Sequence, residues 1–181
     1  PDGQRVVLGG PDGLRTWDLA AGRQLALLRG DGNNPLCFSP DGRLVAQALR
    51  DHIRVWDART GAIVAALDAP AASSLHLAFS ADSQWVLSAS SNAVWLSDVR
   101  PGGQVLSYML LSEIELSRWV YPPSATAVAL SPDGRVIAAG MSHGHILLLE
   151  RKTGTVVRRL EASASAITVL QFSPDGKQLL A

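Results

Sequence analysis

The chain has 181 residues, of which 47% are hydrophobic and 18% charged, and its 16 basic and 16 acidic side chains cancel to a formal net charge of zero. A neutral chain creates no global field that attracts DNA, RNA or an anionic membrane, so nucleic acid is not expected as a partner. No apolar run approaches the roughly eighteen residues of a membrane helix, so no membrane segment is expected. Cys37 is the only cysteine, which excludes an intramolecular disulfide and is compatible with a cytoplasmic location.

One turn sequence recurs along the whole chain at nearly even spacing. Its five copies are Pro1-Asp2-Gly3, Pro40-Asp41-Gly42, Ala81-Asp82-Ser83, Pro132-Asp133-Gly134 and Pro174-Asp175-Gly176. Their aspartates are separated by 39, 41, 51 and 42 residues. Proline at the second position and glycine at the fourth favour a type I turn. A period of about forty residues is typical of proteins built from repeated supersecondary units that share one core.

A complete unit shows the pattern of four short strands joined by turns; the first unit starts at its second strand and the fifth stops after its second strand. In the second unit, residues 53–56 alternate apolar and polar side chains, which is typical of a half-buried strand. The other segments of this unit are mostly apolar and are separated by glycine turns or a short polar break. The four predicted strands of the second unit are residues 36–39, 43–49, 53–56 and 62–67.

The same order of segments recurs in the other units, and no helical periodicity competes with it. The predicted units are residues 1–33, 34–73, 74–124, 125–166 and 167–181, the last of them partial. Short strands with even spacing and glycine turns predict an all-β radial array. The predicted fold is therefore a β-propeller of four-stranded antiparallel blades, with about four blades covered.

Tryptophan and aspartate end the third strand in two units, at Trp17-Asp18 and Trp56-Asp57. At these positions the chain resembles the WD-repeat β-propeller family. Phe38-Ser39-Pro40-Asp41-Gly42 matches the end of the family's first strand, and Thr60-Gly61 and Thr153-Gly154 match its last turn. The resemblance covers essentially the whole chain, and the Ala- and Arg-rich repeats resemble bacterial members.

The resemblance implies a rigid ring that presents loops to protein partners. It also implies a larger ring, commonly of seven blades, from which this chain is an excerpt. The chain departs from the family where Ser97 and Leu149 replace the third-strand tryptophan, and where the usual Gly-His pair is missing before the first strand. We therefore expect the family's buried Asp–His–Ser–Trp hydrogen-bond network to be incomplete.

Two functions of other classes remain open at this point. Propellers with similar Ser-Pro-Asp-Gly turns also form parts of enzymes, as the gating domain of a peptidase or as a quinoprotein-like dehydrogenase. A propeller can also be a sensory array fused to a kinase or a signalling ATPase. The sequence contains no phosphate-binding loop, and Trp-Asp at the end of two third strands favours a non-enzymatic scaffold without a cofactor. Fold alone does not decide among these functions.

One unit is longer than the others. The last turn glycine and the next turn serine are 17, 19 and 19 residues apart in three units, and 28 residues apart between Gly103 and Ser131. Roughly nine extra residues therefore lie within Tyr108 to Ser124, where an insertion forms a loop on one face. A longer hairpin that packs on its own blade is the simpler interpretation. The functional interpretation is a partner-binding loop, because Trp, Tyr and Arg dominate interface hot spots.

In the family, the loops between the second and third strands lie on the same face as the connections between blades. A protein or peptide partner is therefore predicted to dock on this face. The predicted partner-binding residues are Asn33, Asn34, Arg50, His52, Asn92, His143, His145, Arg118, Trp119 and Tyr121. No carboxylate or cysteine stands at a reliable ligand spacing from the histidines, so no metal is predicted.

Overall fold

The computed structural model of the chain is an all-β structure. It describes residues 3–10, 12–30, 32, 34–49, 51–68, 76–90, 93–109 and 123–181. Every regular element within these ranges is a β-strand, so no helix there has the length and apolarity that a membrane crossing requires. The predicted all-β class is confirmed.

The described ranges contain seventeen strands in five sheets. Sheet 1 consists of β1 (Arg5–Gly10), β2 (Gly13–Asp18) and β3 (Arg23–Leu28). Sheet 2 consists of β4 (Leu36–Phe38), β5 (Leu44–Ala48), β6 (Ile53–Asp57) and β7 (Ile63–Leu67). Sheet 3 consists of β8 (His76–Phe79), β9 (Trp85–Ser90), β10 (Ala93–Asp98) and β11 (Val105–Met109). Sheet 4 consists of β12 (Ala125–Leu130), β13 (Val136–Met141), β14 (His145–Glu150) and β15 (Val156–Glu161), and sheet 5 of β16 (Gln171–Phe172) and β17 (Leu179–Leu180).

Within each sheet the strands follow one another in chain order and pair antiparallel, so each sheet is a meander. The first strands of neighbouring sheets lie side by side: β4 contacts β8, β8 contacts β12, and β12 contacts β16. Sheets 2 to 5 therefore stand in sequence like the blades of a propeller, with β4, β8, β12 and β16 in a common inner row. This arrangement confirms the predicted four-stranded antiparallel blades.

The inner strands bury side chains on both of their faces. Val45 of β5 packs with Leu14 and Trp56 towards sheet 1, whereas its neighbour Ala46 packs with Val86 towards sheet 3. Because successive side chains of a strand point to opposite faces, a strand between two apolar interfaces must be apolar throughout. This explains why the second strand of each unit reads as an apolar run.

The recurring turn is held by one hydrogen-bond pattern. In sheet 4, Ser131 Oγ donates to Asp133 Oδ1 at 2.6 Å and accepts the Val136 N–H at 2.9 Å. Asp133 Oδ1 also accepts the Arg135 N–H at 3.0 Å, and the Gly134 N–H donates to Ser131 O at 2.8 Å. Matching bonds recur at Ser39, Ser80 and Ser173. The turn therefore ties the first strand to the second in sheets 2, 3, 4 and 5.

Replacing Ser131 with alanine leaves the Val136 N–H and the Asp133 carboxylate without their shared hydroxyl partner. We expect Ser131→Ala to lower the free energy of unfolding at neutral pH by about 1–3 kcal/mol, because the turn serine is buried. Urea unfolding followed by circular dichroism measures this loss. Ser165→Ala, at an exposed position, is the matched control and should change stability by less than about 0.5 kcal/mol. Equal stability of the two variants would contradict the role of the turn.

Candidate functional site

The meander topology gives each sheet two different ends. One end carries the recurring turns and the turns between the third and fourth strands. The other end carries the hairpins between the second and third strands and the connections to the next sheet. We call this second end the connector face; its described parts are the hairpins at residues 51–52 and 142–144 and the connections at residues 34–35 and 162–170.

His52 belongs to a small polar group on the connector face. Its Nε2 lies 3.0 Å from Arg54 Nη2, and its Nδ1 lies 2.6 Å from Asp51 Oδ1. Because a guanidinium can only donate, Nε2 must accept, and the ring proton lies on Nδ1 facing the carboxylate. The hydrogen bond from His52 lowers the pKa of Asp51. Arg54 also donates to Arg29 O at 3.4 Å, which links the group to the end of sheet 1.

His143 and His145 form a second group on the same face. Their rings stack with centroids 4.2 Å apart and planes inclined by 24°. Between them, Gly144 O accepts the Ser163 N–H at 3.1 Å, so the hairpin is tied to the connection that follows β15. His145 Nε2 lies 3.7 Å from Glu161 Oε1. Burial, and then the neighbouring His145, lower the pKa of His143, so its ring is neutral at pH 7.

The structure places four of the predicted binding residues on the connector face: Asn34, His52, His143 and His145. Asn34 is partly buried ahead of β4, where its carbonyl oxygen lies 3.5 Å from Gln47 Nε2. His52 and the stacked histidines are not brought together, because they belong to sheets 2 and 4 and sheet 3 stands between them. The remaining predicted residues lie outside the described ranges: Asn33, Arg50, Asn92, Arg118, Trp119 and Tyr121.

The described residues show neither a cluster of metal ligands nor an ionised thiol. Across the ranges that the structure describes, no group of three or more His, Cys, Asp and Glu side chains could hold a metal ion. Burial raises the pKa of the Cys37 thiol to about 12, so the thiol is protonated at neutral pH and is a poor nucleophile. The connector face instead presents oriented hydrogen-bonding groups and stacked imidazole rings.

Sequence reasoning missed the junction that joins sheets 3 and 4. Tyr108 OH donates to Arg151 O at 2.6 Å, and the Arg151 guanidinium carbon lies 4.4 Å from the centroid of the Trp85 ring. The Tyr108 ring covers Gly154, which has φ 72°, and an added Cβ there would come within 2.5 Å of Tyr108 Cδ1. Position 154 therefore requires glycine for two reasons: the Tyr108 ring leaves no room for a Cβ, and the turn has a positive φ. Tyr108 is a buried residue of β11 and not part of a surface loop.

A positional signal for Tyr108 is nevertheless present in the sequence. It stands six residues after Gly102, a turn glycine with positive φ. Buried or half-buried leucines stand at the same distance after the turn glycines of the other sheets: Leu28, Leu67 and Leu160. Tyr108 thus fills the place of an interface leucine and adds a hydroxyl that reaches the next sheet.

Comparison with known proteins identifies similar repeats. A family model described as the WD40 domain of anaphase-promoting complex subunit 4 matches residues 122–178. An uncharacterized WD repeat-containing protein of Synechocystis sp. is 30% identical over 148 residues, which are 80% of this chain and 39% of that protein. The pre-rRNA-processing protein IPI3 of Mycosarcoma maydis is 35% identical over 65 residues, which are 36% of this chain and 11% of that protein.

Solved structures show the same fold. The β-propeller domain of Cps50 (Swd1) from Myceliophteria thermophila has a TM-score of 0.81 at 19% identity, over 98% of this chain and 58% of that chain. The computationally designed Ika8 protein has a TM-score of 0.73 at 24% identity, over 97% of this chain and 54% of that chain. The chain thus spans less than two thirds of the length of each of these four proteins.

Two substitutions of Tyr108 distinguish the contribution of its hydroxyl to stability from that of its ring. We expect Tyr108→Phe to lower the free energy of unfolding by about 0.5–1.5 kcal/mol, because it removes one hydrogen bond. Tyr108→Ala also removes the ring between two sheets and should cost about 3–5 kcal/mol. Urea unfolding of both variants measures how much the hydroxyl and the ring each contribute to the free energy of unfolding. A Tyr108→Phe variant as stable as the wild type would show that the hydroxyl contributes nothing.

The depressed pKa of His143 predicts a pH-dependent stability. The folded chain binds this proton less readily than the unfolded chain, whose histidines titrate near pH 6.5. Stability is therefore full above about pH 6.5 and is lost as the pH falls through the lower, folded pKa. We expect the urea midpoint to decrease between about pH 7.5 and pH 5, and to decrease less in His143→Gln. Equal pH profiles of the two proteins would contradict this assignment.

Proposed function

Because the chain is a WD-repeat β-propeller, we propose that it acts as a non-enzymatic scaffold that binds a protein or peptide partner through the connector face. WD40 domains generally bind protein partners, and the family is generally non-enzymatic. The observation that supports the proposal most directly is the group of His52, Asp51 and Arg54, whose polar atoms are oriented by one another at the surface. The identity of the partner is not part of the proposal.

Pre-orientation is what makes this group suited to recognition. His52 is fixed by hydrogen bonds at both ring nitrogens, while the Asp51 side chain remains 84% exposed and can accept a donor from a partner. A side chain that is already held in place loses little conformational entropy when a partner binds. The stacked pair of His143 and His145 offers a second rigid contact on the same face.

The proposal also includes the insertion, which lies outside the described residues. Arg118, Trp119 and Tyr121 belong to the connection that leads into sheet 4, and this connection reaches β12 at the connector face. Aromatic and arginine side chains supply most of the binding energy in protein interfaces. We include these residues in the proposed site together with Asn33, Asn34, Arg50 and Asn92.

Peptides selected from a random display library against the immobilised chain provide defined probes for this surface. Their dissociation constants, measured by fluorescence anisotropy, are compared for His52→Ala, for His143→Ala and for Arg118→Ala combined with Trp119→Ala. We expect connector-face variants to weaken binding about tenfold or more, as hot-spot residues do. Lys177→Ala, an exposed change in the turn before β17 at the opposite end, is the matched control and should leave binding unchanged.

The outcomes separate the parts of the proposal. Unchanged affinity in all the connector-face variants would overturn the face as the binding site. Unchanged affinity in the variant at Arg118 and Trp119 alone would remove the insertion from the site and leave the rest.

A further inference from the structure

The outer strand of sheet 3 pairs differently from the outer strands of its neighbours. In sheets 1, 2 and 4 the ladder between the last two strands is interrupted by a β-bulge soon after the turn. The residues skipped by the register at these bulges are Leu25, Val64 and Val157. In sheet 3 the ladder between β10 and β11 runs without interruption from the pair Ser97–Val105 to the end of β11.

The turn that precedes β11 explains the difference. In sheet 2 the Asp57 N–H donates to Ala62 O, five residues further along, whereas in sheet 3 the Asp98 N–H donates to Gln104 O, six residues further along. Gly102 and Gly61 both have a positive φ and both stand four residues after the aspartate, and the longer turn of sheet 3 adds Gly103 before the strand begins. The turn before β11 therefore contains the extra residue, whereas in sheets 1, 2 and 4 the extra residue lies in a bulge of the outer strand.

The regular ladder leaves β11 with a straight outer edge. Because Asp98 bonds to Gln104, the alternation of an antiparallel ladder turns the N–H and C=O groups of Val105 and Ser107 away from β10. In the described part of the chain, β11 is the last strand of its sheet and pairs with β10 alone. Bulges, charges and prolines normally protect such edges, and the sequence of β11 contains no charged residue or proline.

The side chains of β11 open alternately into two clefts. Val105 lines a cleft of about 370 Å³ towards sheet 2, and Leu106 lines a cleft of about 590 Å³ towards sheet 4. These two side chains are 39% and 37% exposed. A strand added to this edge would place its side chains alternately over the two clefts, which is how sheet edges bind extended peptides.

The two clefts differ in their chemistry. The cleft towards sheet 2 is lined mainly by apolar and glycine residues of β7 and of the turn before β11, with Asp68 and Arg100 as its charged residues. The cleft towards sheet 4 is lined by three cations, Arg135, Arg151 and Lys152, and by one carboxylate, Glu150, which accepts the Thr153 hydroxyl at 2.7 Å. The side towards sheet 4 is therefore complementary to acidic side chains.

We propose that the outer edge of β11 binds an extended segment of another protein as a fifth strand of sheet 3. The apolar side chains of that segment lie towards sheet 2, and its acidic side chains lie towards Arg135, Arg151 and Lys152. The added strand forms main-chain hydrogen bonds to Val105 and Ser107, and the cationic cleft favours segments with acidic side chains over segments with basic ones. This edge is distinct from the connector face, so the inference stands independently of the function proposed above.

Three fluorescein-labelled peptides of about eight residues test the proposal by anisotropy with the full chain. The first alternates Val and Glu, the second alternates Val and Lys, and the third is the first with two prolines introduced. We expect the Val–Glu peptide to bind about tenfold or more tightly than the other two, since only it offers both a strand edge and acidic side chains. In its complex, the amide hydrogens of Val105 and Ser107 should exchange more slowly.

Two variants locate the binding. Val105→Pro removes an outward N–H but leaves the ladder to β10, so it should weaken the Val–Glu peptide about tenfold while thermal unfolding stays near that of the wild type. If this variant does not fold, Arg135→Glu combined with Lys152→Glu decides the question, because it should shift preference from the Val–Glu to the Val–Lys peptide. Arg23→Glu, on the bulged outer strand of sheet 1, is the matched charge control and should change nothing.

Two results would overturn the proposal. One is equal affinity of the wild type and the edge variants for the Val–Glu peptide, with no protection at Val105 and Ser107. The other is concentration-dependent dimerisation in sedimentation that Val105→Pro abolishes, which would make a second copy of this chain the occupant of the edge. Neither result bears on the connector face, because none of these substitutions touches it.

Discussion

Burial of both faces of the inner sheets is the constraint on which the rest of this structure depends. If any of these strands shifted its pairing by one residue, every side chain would move from one interface to the interface on the opposite face of the sheet. The pairing register must therefore be specified strongly. The bonds of Ser131 and Asp133, repeated in the other sheets, specify it where the first strand turns into the second. The apolar strands thus form the buried interfaces, and the polar turns fix the register in which the strands pair.

The same constraint decides where the molecule can bind other proteins. Because both faces of a sheet are committed to neighbouring sheets, only the two ends and the outer edge of each sheet remain available. The ends carry turns and loops, and His52 and the stacked histidines lie on one of them. The outer edge is blocked by bulges in sheets 1, 2 and 4 but not in sheet 3. Moving one residue from a bulge into a turn is sufficient to create this difference.

The fold could be predicted from the sequence because turn spacing and strand pattern recur in phase over the chain. The register of β11 could not, because Gly102 and Gly103 both match a turn glycine and only the bond from Asp98 to Gln104 distinguishes them. The stacking of His143 on His145 depends on where Gly144 meets the connection after β15, a contact between segments of no recognisable pattern. The sequence also predicted that the family's buried Asp–His–Ser–Trp hydrogen-bond network would be incomplete. In the structure, the buried Ser97 hydroxyl and the Trp17 Nε1 group have no hydrogen-bond partner.

Because each inner strand is buried between two neighbours, we expect the interfaces to stabilise the sheets as one cooperative body. Native-state hydrogen exchange of the amides in β5, β9 and β13 measures this most directly, because the three strands belong to three different sheets. If the claim is right, these amides exchange through one common opening whose free energy equals that of global unfolding. Three separate opening free energies, each below the global value, would show that every sheet is stable on its own and would contradict the account.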